Sequence, residues 1–140
     1  MIVVDTDVTS ELMRPSPSTA VAAWVRARPA AELRMTSITL AEVLYGIERL
    51  PDGRRKDVLK TAAQDVFSAF AEHLLAFDAR AAREYAELVS SRERAGAPID
   101  GFDAQIAAIC RVHGAILATR NVKDFRGTGI EVIDPWRANA

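Results

Sequence analysis

The sequence from residue 2 to residue 7 is IVVDTD, and it sets the pattern for the rest of the chain. Three β-branched residues, Ile2 to Val4, predict a short buried strand. Asp5 follows at once, and the stretch from Thr6 to Arg14 predicts a short helix before two prolines break the chain. A strand that passes directly into a helix is the repeating unit of α/β domains.

The same alternation continues along the chain. The order βα(α)βα(α)βα(α)βαβ requires right-handed crossovers and a parallel sheet. We therefore predict one α/β domain over residues 1–140, with a mostly parallel sheet of about five strands. The later strands are predicted in ELRMTSIT (32–39, reaching Thr36), LLAF (74–77), AILAT (115–119) and IEVID (130–134), and the later helices at 18–28, 40–50, 57–73, 79–95 and 100–114.

Three helix ends carry recognisable signals. Ser18 or Thr19 can cap the second helix, and Gly114 is placed to end the last one as a C′ residue. Thr39 is the predicted N-cap of the helix at 40–50, with Glu42 three residues later as in a capping box.

Composition indicates the cellular compartment of the protein and limits where a nucleic-acid-binding surface can lie. The chain has 18 Lys and Arg against 19 Asp and Glu, so the net charge is −1 and any nucleic-acid-binding surface must be local. Cys110 is the one cysteine, which excludes an internal disulfide and favours a reducing cytoplasm; we expect its side chain in the core. No targeting segment and no run of about 18 apolar residues is present, so no membrane association is expected.

Polar and acidic residues follow the predicted strands. Ligands of parallel α/β sheets bind at the carboxyl ends of the strands, near a switch in strand order. The residues expected at that edge are Asp5 after the first strand, Thr36, Ser37, Thr39 and Glu42 after the second, Thr119, Arg120, Asn121 and Asp124 after the fourth, and Asp100 and Asp103 at the start of the helix before it.

Carboxylates gathered at one edge repel one another in a cleft of low dielectric. Such a cluster needs a cation, or one member must be protonated. Oxygen ligands of this kind suit Mg²⁺ or Mn²⁺, and no His/Cys spacing predicts zinc. A metal ion that is held by carboxylates and faces solvent can catalyse phosphodiester cleavage, either alone or together with a second ion.

Four motifs resemble the PIN-domain family, and more narrowly the VapC and FitB-type toxins of bacterial type II toxin–antitoxin pairs. The resemblance covers nearly the whole chain and implies an α/β/α sandwich and Mg²⁺-dependent endoribonuclease activity. It also implies a cognate antitoxin, RNA as substrate, and a homodimer or a hetero-oligomer with the antitoxin. The motifs are IVVDTDVTSELMRPSP (2–17), SITLAEVLYGIERLPDGRR (37–55), APIDGFDAQIAAICRVHGAILATRNVKDF (97–125) and IEVIDPW (130–136), and LYGIERL (44–50) resembles the part that meets an antitoxin helix.

The resemblance assigns roles by position. Asp5 and Asp103 match family aspartates and are the predicted metal ligands, direct or through water. Glu42 matches the helical glutamate that completes the pocket or orients the attacking water. The fourth acidic position falls at Asn121, with Asp124 as the nearest carboxylate, and the choice between them stays open. RNA itself is not specified further, so transfer, ribosomal and messenger RNA all remain open.

The remaining candidates are accessory. Thr6 and Thr119 can bind phosphate or an aspartate carboxylate, and Arg120 can hold the RNA backbone. Asp7 stands where the family more usually has Asn, and Asp100 where it often has Ser. Both add negative charge that can shift metal affinity, although Asp7 also fits as a cap of the short helix.

Three other functions are weighed against this one. VVDTDVT also fits a haloacid-dehalogenase-type phosphatase, with Asp5 as nucleophile and Asp7 as general acid, but the later Lys and acidic pair are poorly matched. A receiver-like domain would need an acceptor aspartate ending the third strand, for which Asp78 is a poor candidate. A non-catalytic module that only binds RNA or a partner is the third alternative.

Overall fold

The computed structural model describes residues 1–138, whose five strands form one parallel sheet in the order β3-β2-β1-β4-β5. The predicted parallel α/β architecture and its element order are confirmed. That the whole chain, residues 1–140, is one domain remains a prediction. The strands are β1 (Ile2–Val4), β2 (Leu33–Thr36), β3 (Leu74–Leu75), β4 (Ile116–Ala118) and β5 (Val132–Ile133), and the helices are α1 (Thr6–Leu12), α2 (Thr19–Arg26), α3 (Ser37–Glu48), α4 (Arg54–Ala69), α5 (Ala79–Arg94) and α6 (Gly101–His113).

The central strand β1 is buried on both faces of the sheet. Its side chains alternate, as a strand period of two requires. Val3 packs in the cluster that α5 and α6 complete, which includes Leu88 and Cys110, as expected for the cysteine. Ile2 and Val4 pack in the opposite cluster with α1 and α2, where Trp24 is fully buried.

Helices α3 and α4 form a hairpin with its own small core of Val43, Ile47 and Ala63. Lys56, which is only 8% exposed, fastens this hairpin: its Nζ donates to the backbone oxygen of Glu48 at the end of α3, at 3.1 Å. Glu48 would otherwise leave an unsatisfied carbonyl at the helix end.

Several predicted boundaries are wrong. Thr39 is not the N-cap of α3, because Thr36 Oγ1 accepts the Thr39 N–H at 3.1 Å and the helix begins at Ser37. Helix α4 spans 54–69 instead of 57–73, since Gly53 begins it and a 3₁₀ turn, Ala71–His73, follows it. The strands predicted at 74–77 and 130–134 shorten to two residues each.

The two neighbours of β1 lie on opposite sides of it in the sheet: the chain first adds β2 and β3 on one side and then crosses to the other side for β4 and β5. The strand order therefore switches between β1 and β4, and in sheets of this kind ligands bind beyond the carboxyl ends of the strands at such a point, an edge we call the carboxylate crevice. Among residues 1–138, no helix is long and apolar enough to cross a membrane.

Candidate active site at the carboxyl ends of β1 and β4

Asp5 lies at the switch point, with both carboxylate oxygens held by neutral donors. It is 4% exposed. The Thr6 N–H donates to Oδ1 at 2.8 Å, and the Thr119 hydroxyl donates to Oδ2 at 2.7 Å. Burial, and next the negative charge of Asp7, raise the pKa of Asp5 from 3.8 to about 7. The fold therefore fixes this carboxylate in place without supplying a positive charge.

Asp7 ties the start of α1 to the end of β4. Its Oδ1 accepts the Val8 N–H at 2.7 Å, and its Oδ2 accepts the Arg120 N–H at 2.9 Å and the Thr119 hydroxyl at 3.2 Å. Burial raises its pKa. Both oxygens accept backbone N–H groups, so Asp7 mainly links the start of α1 to the segment after β4.

Glu42 reaches the crevice from the second turn of α3 and is held by a row of hydroxyls. Thr6 Oγ1 donates to Glu42 Oε1 at 2.9 Å. The Thr6 hydroxyl oxygen also lies 3.0 Å from Thr39 Oγ1. Thr36 Oγ1 in turn donates to Thr39 Oγ1 at 3.4 Å. Burial raises the pKa of Glu42. The predicted capping-box role of Glu42 is therefore wrong, because its side chain binds Thr6 on another helix.

Asp103, in the first turn of α6, is half-buried, and its carboxylate accepts no hydrogen bond from residues 1–138. Burial raises its pKa to about 6, with further contributions from the charges of Asp100, Asp124, Glu42 and Asp7. Asp100 is the N-cap of α6, where its Oδ2 accepts the N–H groups of Phe102 and Asp103 at 3.0 and 3.3 Å. These charges place Asp103 among the other acids of the crevice.

The segment after β4 contributes mostly through its backbone. The Asn121 N–H donates to Thr119 Oγ1 at 3.1 Å, and the Arg120 guanidinium lies 4.9 Å from the Trp136 ring centre, a cation–π contact. Arg120 therefore touches the site through its N–H and not its side chain. Asp124, in the 3₁₀ turn Val122–Phe125, is exposed, and its charge acts on Asp103.

Sequence reasoning misses the role of one contributor and the whole of another. Thr39 is expected at this edge as a helix cap, whereas its hydroxyl links Thr36 to Thr6. Asp134, directly after β5, raises the pKa of Asp7 through its charge and was given no role. Applying the strand-end rule to the last strand would have found Asp134, but nothing local in the sequence indicates the Thr39–Thr6 pairing.

The acids of the crevice fit a partly hydrated divalent cation. Within residues 1–138, none of Asp5, Asp7, Glu42, Asp103 and Asp124 forms an ion pair with Lys, Arg or His. The same part of the chain contains no group of three or more His, Cys, Asp or Glu arranged to hold a metal ion. Mg²⁺ commonly keeps several waters and binds one or two carboxylates plus substrate phosphates. The acids therefore share an edge without forming a cage, which suits such an ion.

Together the fold and the crevice define a parallel α/β domain with an acidic site that lacks a positive charge of its own. The chain belongs to the PIN-domain family, whose model matches residues 2–130. PIN-domain ribonucleases are generally dependent on a divalent metal.

Two relatives align over almost their full length. The VapC ribonuclease Y4jK of Sinorhizobium fredii is 37% identical over 137 residues, 97% of this chain and 98% of the relative. Toxin FitB of Neisseria gonorrhoeae is 34% identical over 137 residues, 97% of this chain and 99% of the relative. The predicted family and its toxin branch are confirmed.

A solved structure has the same fold. The crystal structure of FitAcB from Neisseria gonorrhoeae superposes with a TM-score of 0.90 at 34% identity, covering 98% of this chain and 99% of that one. A structure of FitAB bound to a DNA fragment, IR36, superposes with a TM-score of 0.89 at the same identity, covering 97% and 96%. The predicted PIN-like fold is confirmed, and no comparison supports a phosphatase or a receiver domain.

Proposed function

We propose that this chain is the toxin of a type II toxin–antitoxin pair, a ribonuclease that hydrolyses RNA phosphodiester bonds at the crevice between β1 and β4. Relatives named ribonuclease and toxin, aligned over almost their full length, support the activity. One observation supports its site: the carboxylates of Asp5 and Asp103 are buried and half-buried at the same edge of the sheet, and neither has a cationic partner within residues 1–138.

Asp5 and Asp103 would hold the ion, with Mg²⁺ as the proposed metal and Mn²⁺ as a substitute. When bound, such an ion lowers the pKa of a water and neutralises charge on the phosphate. Asp5 is suited to this role because Thr6 and Thr119 fix its two oxygens. Asp103 is suited because no hydrogen bond within residues 1–138 occupies its carboxylate.

Glu42 is the proposed base for the attacking water. Thr6 holds its Oε1, while its Oε2 accepts no hydrogen bond from residues 1–138 and is free to accept a proton. A raised pKa brings a carboxylate closer to the range useful for proton transfer. Asp124 is the proposed fourth acid, since its charge acts on Asp103 whereas Asn121 reaches the site only through its N–H.

Asp7 argues against the phosphatase alternative. A general acid must turn its carboxyl toward the leaving group, but both Asp7 oxygens already accept backbone N–H groups, which hold the carboxyl between α1 and the end of β4. An exposed Asp78, which caps α5 through the Ala81 N–H, offers no acceptor site for a receiver domain.

The proposed partner is a cognate antitoxin, in a cytoplasmic complex. Stretch 44–50, which covers the last turn of α3 and the two residues after it, is the predicted contact, and there Leu44 and Tyr45 are 46% and 67% exposed. Exposed apolar side chains of this size are typical of interaction surfaces. A homodimer of the toxin stays a prediction.

Asp103→Asn is expected to lower Mg²⁺-dependent cleavage of total RNA by at least about a hundredfold, because it removes one charge from the metal site. Asp65→Asn is the control: it removes an exposed acid of α4 that forms no ion pair within residues 1–138. Cleavage is measured with purified toxin, free of partner, in Mg²⁺, Mn²⁺ or EDTA, and circular dichroism checks the fold.

Full activity in EDTA would exclude the metal mechanism. Full activity of Asp103→Asn would exclude Asp103 as a ligand and leave the ribonuclease assignment standing. No cleavage of any RNA by the folded, metal-loaded toxin would remove the proposed function itself.

A further inference from the structure

A cavity of about 1000 Å³ lies between α1, α3 and α4. It is at the upper end of the roughly 300–1,000 Å³ typical of ligand sites. Thr6 and Glu42 line it, and both belong to the hydrogen-bonded network of the carboxylate crevice. The cavity is therefore continuous with the candidate active site.

The cavity has an apolar floor and a positive rim. Val43, Ile47 and Leu59 contribute to the floor, and Arg54 and Arg55 stand at the rim, on the first turn of α4. Neither arginine forms an ion pair, a hydrogen bond or a cation–π contact within residues 1–138. Two guanidinium groups thus lie unpaired beside a crevice of unpaired carboxylates.

We propose that this cavity binds the single-stranded RNA segment next to the scissile phosphate. Arg54 and Arg55 hold its phosphates, and the apolar floor contacts an unstacked base. The inference rests on the proposed ribonuclease function and adds the surface that retains the substrate.

Charge complementarity carries the argument. The net charge of the chain is −1, so attraction for a polyanion must come from a local group of positive side chains. The acids of the crevice repel RNA, so these side chains must lie close by to hold it there. The planar guanidinium fork of arginine matches phosphate in two hydrogen bonds.

The antitoxin is the other candidate occupant, because Gly46 and Ile47 of the cavity belong to the stretch 44–50 that is its predicted contact. The apolar floor alone would accept a segment of it, but the two unpaired arginines at the mouth favour a polyanion. Binding measurements separate the two occupants.

The first test measures binding of a short fluorescein-labelled single-stranded RNA in EDTA, by anisotropy across roughly 50 to 200 mM salt. Each phosphate contact on a single strand contributes about 0.7 to the slope of log affinity against log salt. The double variant Arg54→Gln/Arg55→Gln is expected to lower this slope by about 1.4, with weaker binding. Arg26→Gln/Arg83→Gln, which removes two exposed arginines of α2 and α5 that form no ion pair in the described part of the chain, is expected to keep it.

The second test fills the cavity. Gly46 lines it, and a Cβ built there meets no atom within 4 Å. Gly46→Trp is expected to raise the KM for RNA cleavage with little change in kcat, since it removes binding shared by ground and transition states. Ala82→Trp, which adds the same side chain at an exposed position of α5 outside the cavity, is the control.

The proposal fails if the arginine double variant keeps the salt slope of its control while wild-type toxin still binds and cleaves RNA. It also fails if Gly46→Trp leaves RNA cleavage unchanged but blocks complex formation with a co-expressed antitoxin, since the cavity then belongs to the protein partner. Absence of metal-dependent cleavage by the wild type would instead count against the proposed function.

Discussion

At the scale of single residues, Thr119 holds the site together. Its hydroxyl lies 2.7 Å from Asp5 Oδ2 and 3.2 Å from Asp7 Oδ2, and it is fully buried. One hydroxyl has one proton, so it can donate to only one carboxylate at a time. The negative charges of Asp5 and Asp7 are therefore not fully balanced by this one donor, which is consistent with the raised pKa of both acids.

Thr119→Val is expected to lower RNA cleavage by about tenfold or more, because groups that orient metal ligands commonly contribute 10- to 100-fold to affinity or activity. Thr119→Ser keeps the hydroxyl and is expected to restore most of the activity. The measurement is the Mg²⁺ concentration for half-maximal cleavage in each variant. Equal values for Val and Ser would reduce Thr119 to a packing residue.

How far the sequence predicts such residues depends on whether their partners are local. Asp5 and Asp103 were placed at the crevice because strand ends and helix starts of a parallel sheet meet there, and the structure brings both to that edge. Their roles as metal ligands remain predictions. Glu42 was misassigned because the capping-box spacing is satisfied locally, whereas its hydrogen bond to Thr6 spans 36 positions and depends on tertiary packing.

At the scale of elements, the alternation of strands and helices was predictable and the boundaries were less so. Helix α6 ends at Gly114, which has φ 60° and was predicted as the C′ residue. Helix α4 begins earlier than its apolar stripe indicates, since its first turn is Arg54, Arg55 and the buried Lys56. A lysine buried to cap another helix gives no hydrophobic signal in the sequence.

Two glycines, Gly46 within α3 and Gly114 directly after α6, are expected to respond oppositely to alanine. Gly46→Ala should raise the free energy of unfolding by about 0.5–1 kcal/mol, because the exposed mid-helix position has open space for a Cβ. Gly114→Ala should lower it by roughly 1–2 kcal/mol, because a left-handed backbone disfavours a Cβ. Urea denaturation of both variants measures the difference, and changes of the same sign would contradict it.

At the scale of the whole molecule, the buried acids should make stability depend on pH. A raised carboxylate pKa means that the folded state binds protons more tightly than the unfolded chain. Ionisation of these carboxylates therefore lowers the free energy of unfolding. This loss is absent below the ordinary pKa of 3.8 and complete above the pKa values in the folded state, about 7 for Asp5 and about 6 for Asp103.

In EDTA, the free energy of unfolding is therefore expected to fall as pH rises from about 4.5 to about 7. Glu11 and Asp78, whose pKa values are lowered, act in the opposite sense at lower pH, so the window begins above their range. Mg²⁺ should remove much of this fall, and Asp5→Asn should flatten it in EDTA. Urea unfolding at each pH is the measurement, and a wild-type stability that rises through this window would contradict it.

The α3–α4 hairpin has its own core, apart from the two clusters that sandwich the sheet, and α4 packs chiefly against α3. Such a unit can open without the rest of the domain unfolding. Backbone amides of α4 should then exchange with deuterated water sooner than those of β1, whose strand is paired on both sides. Helix α4, which forms one wall of the cavity, is thus the least firmly packed of the helices around it. Its opening and closing would then limit the rate at which long molecules enter and leave the cavity.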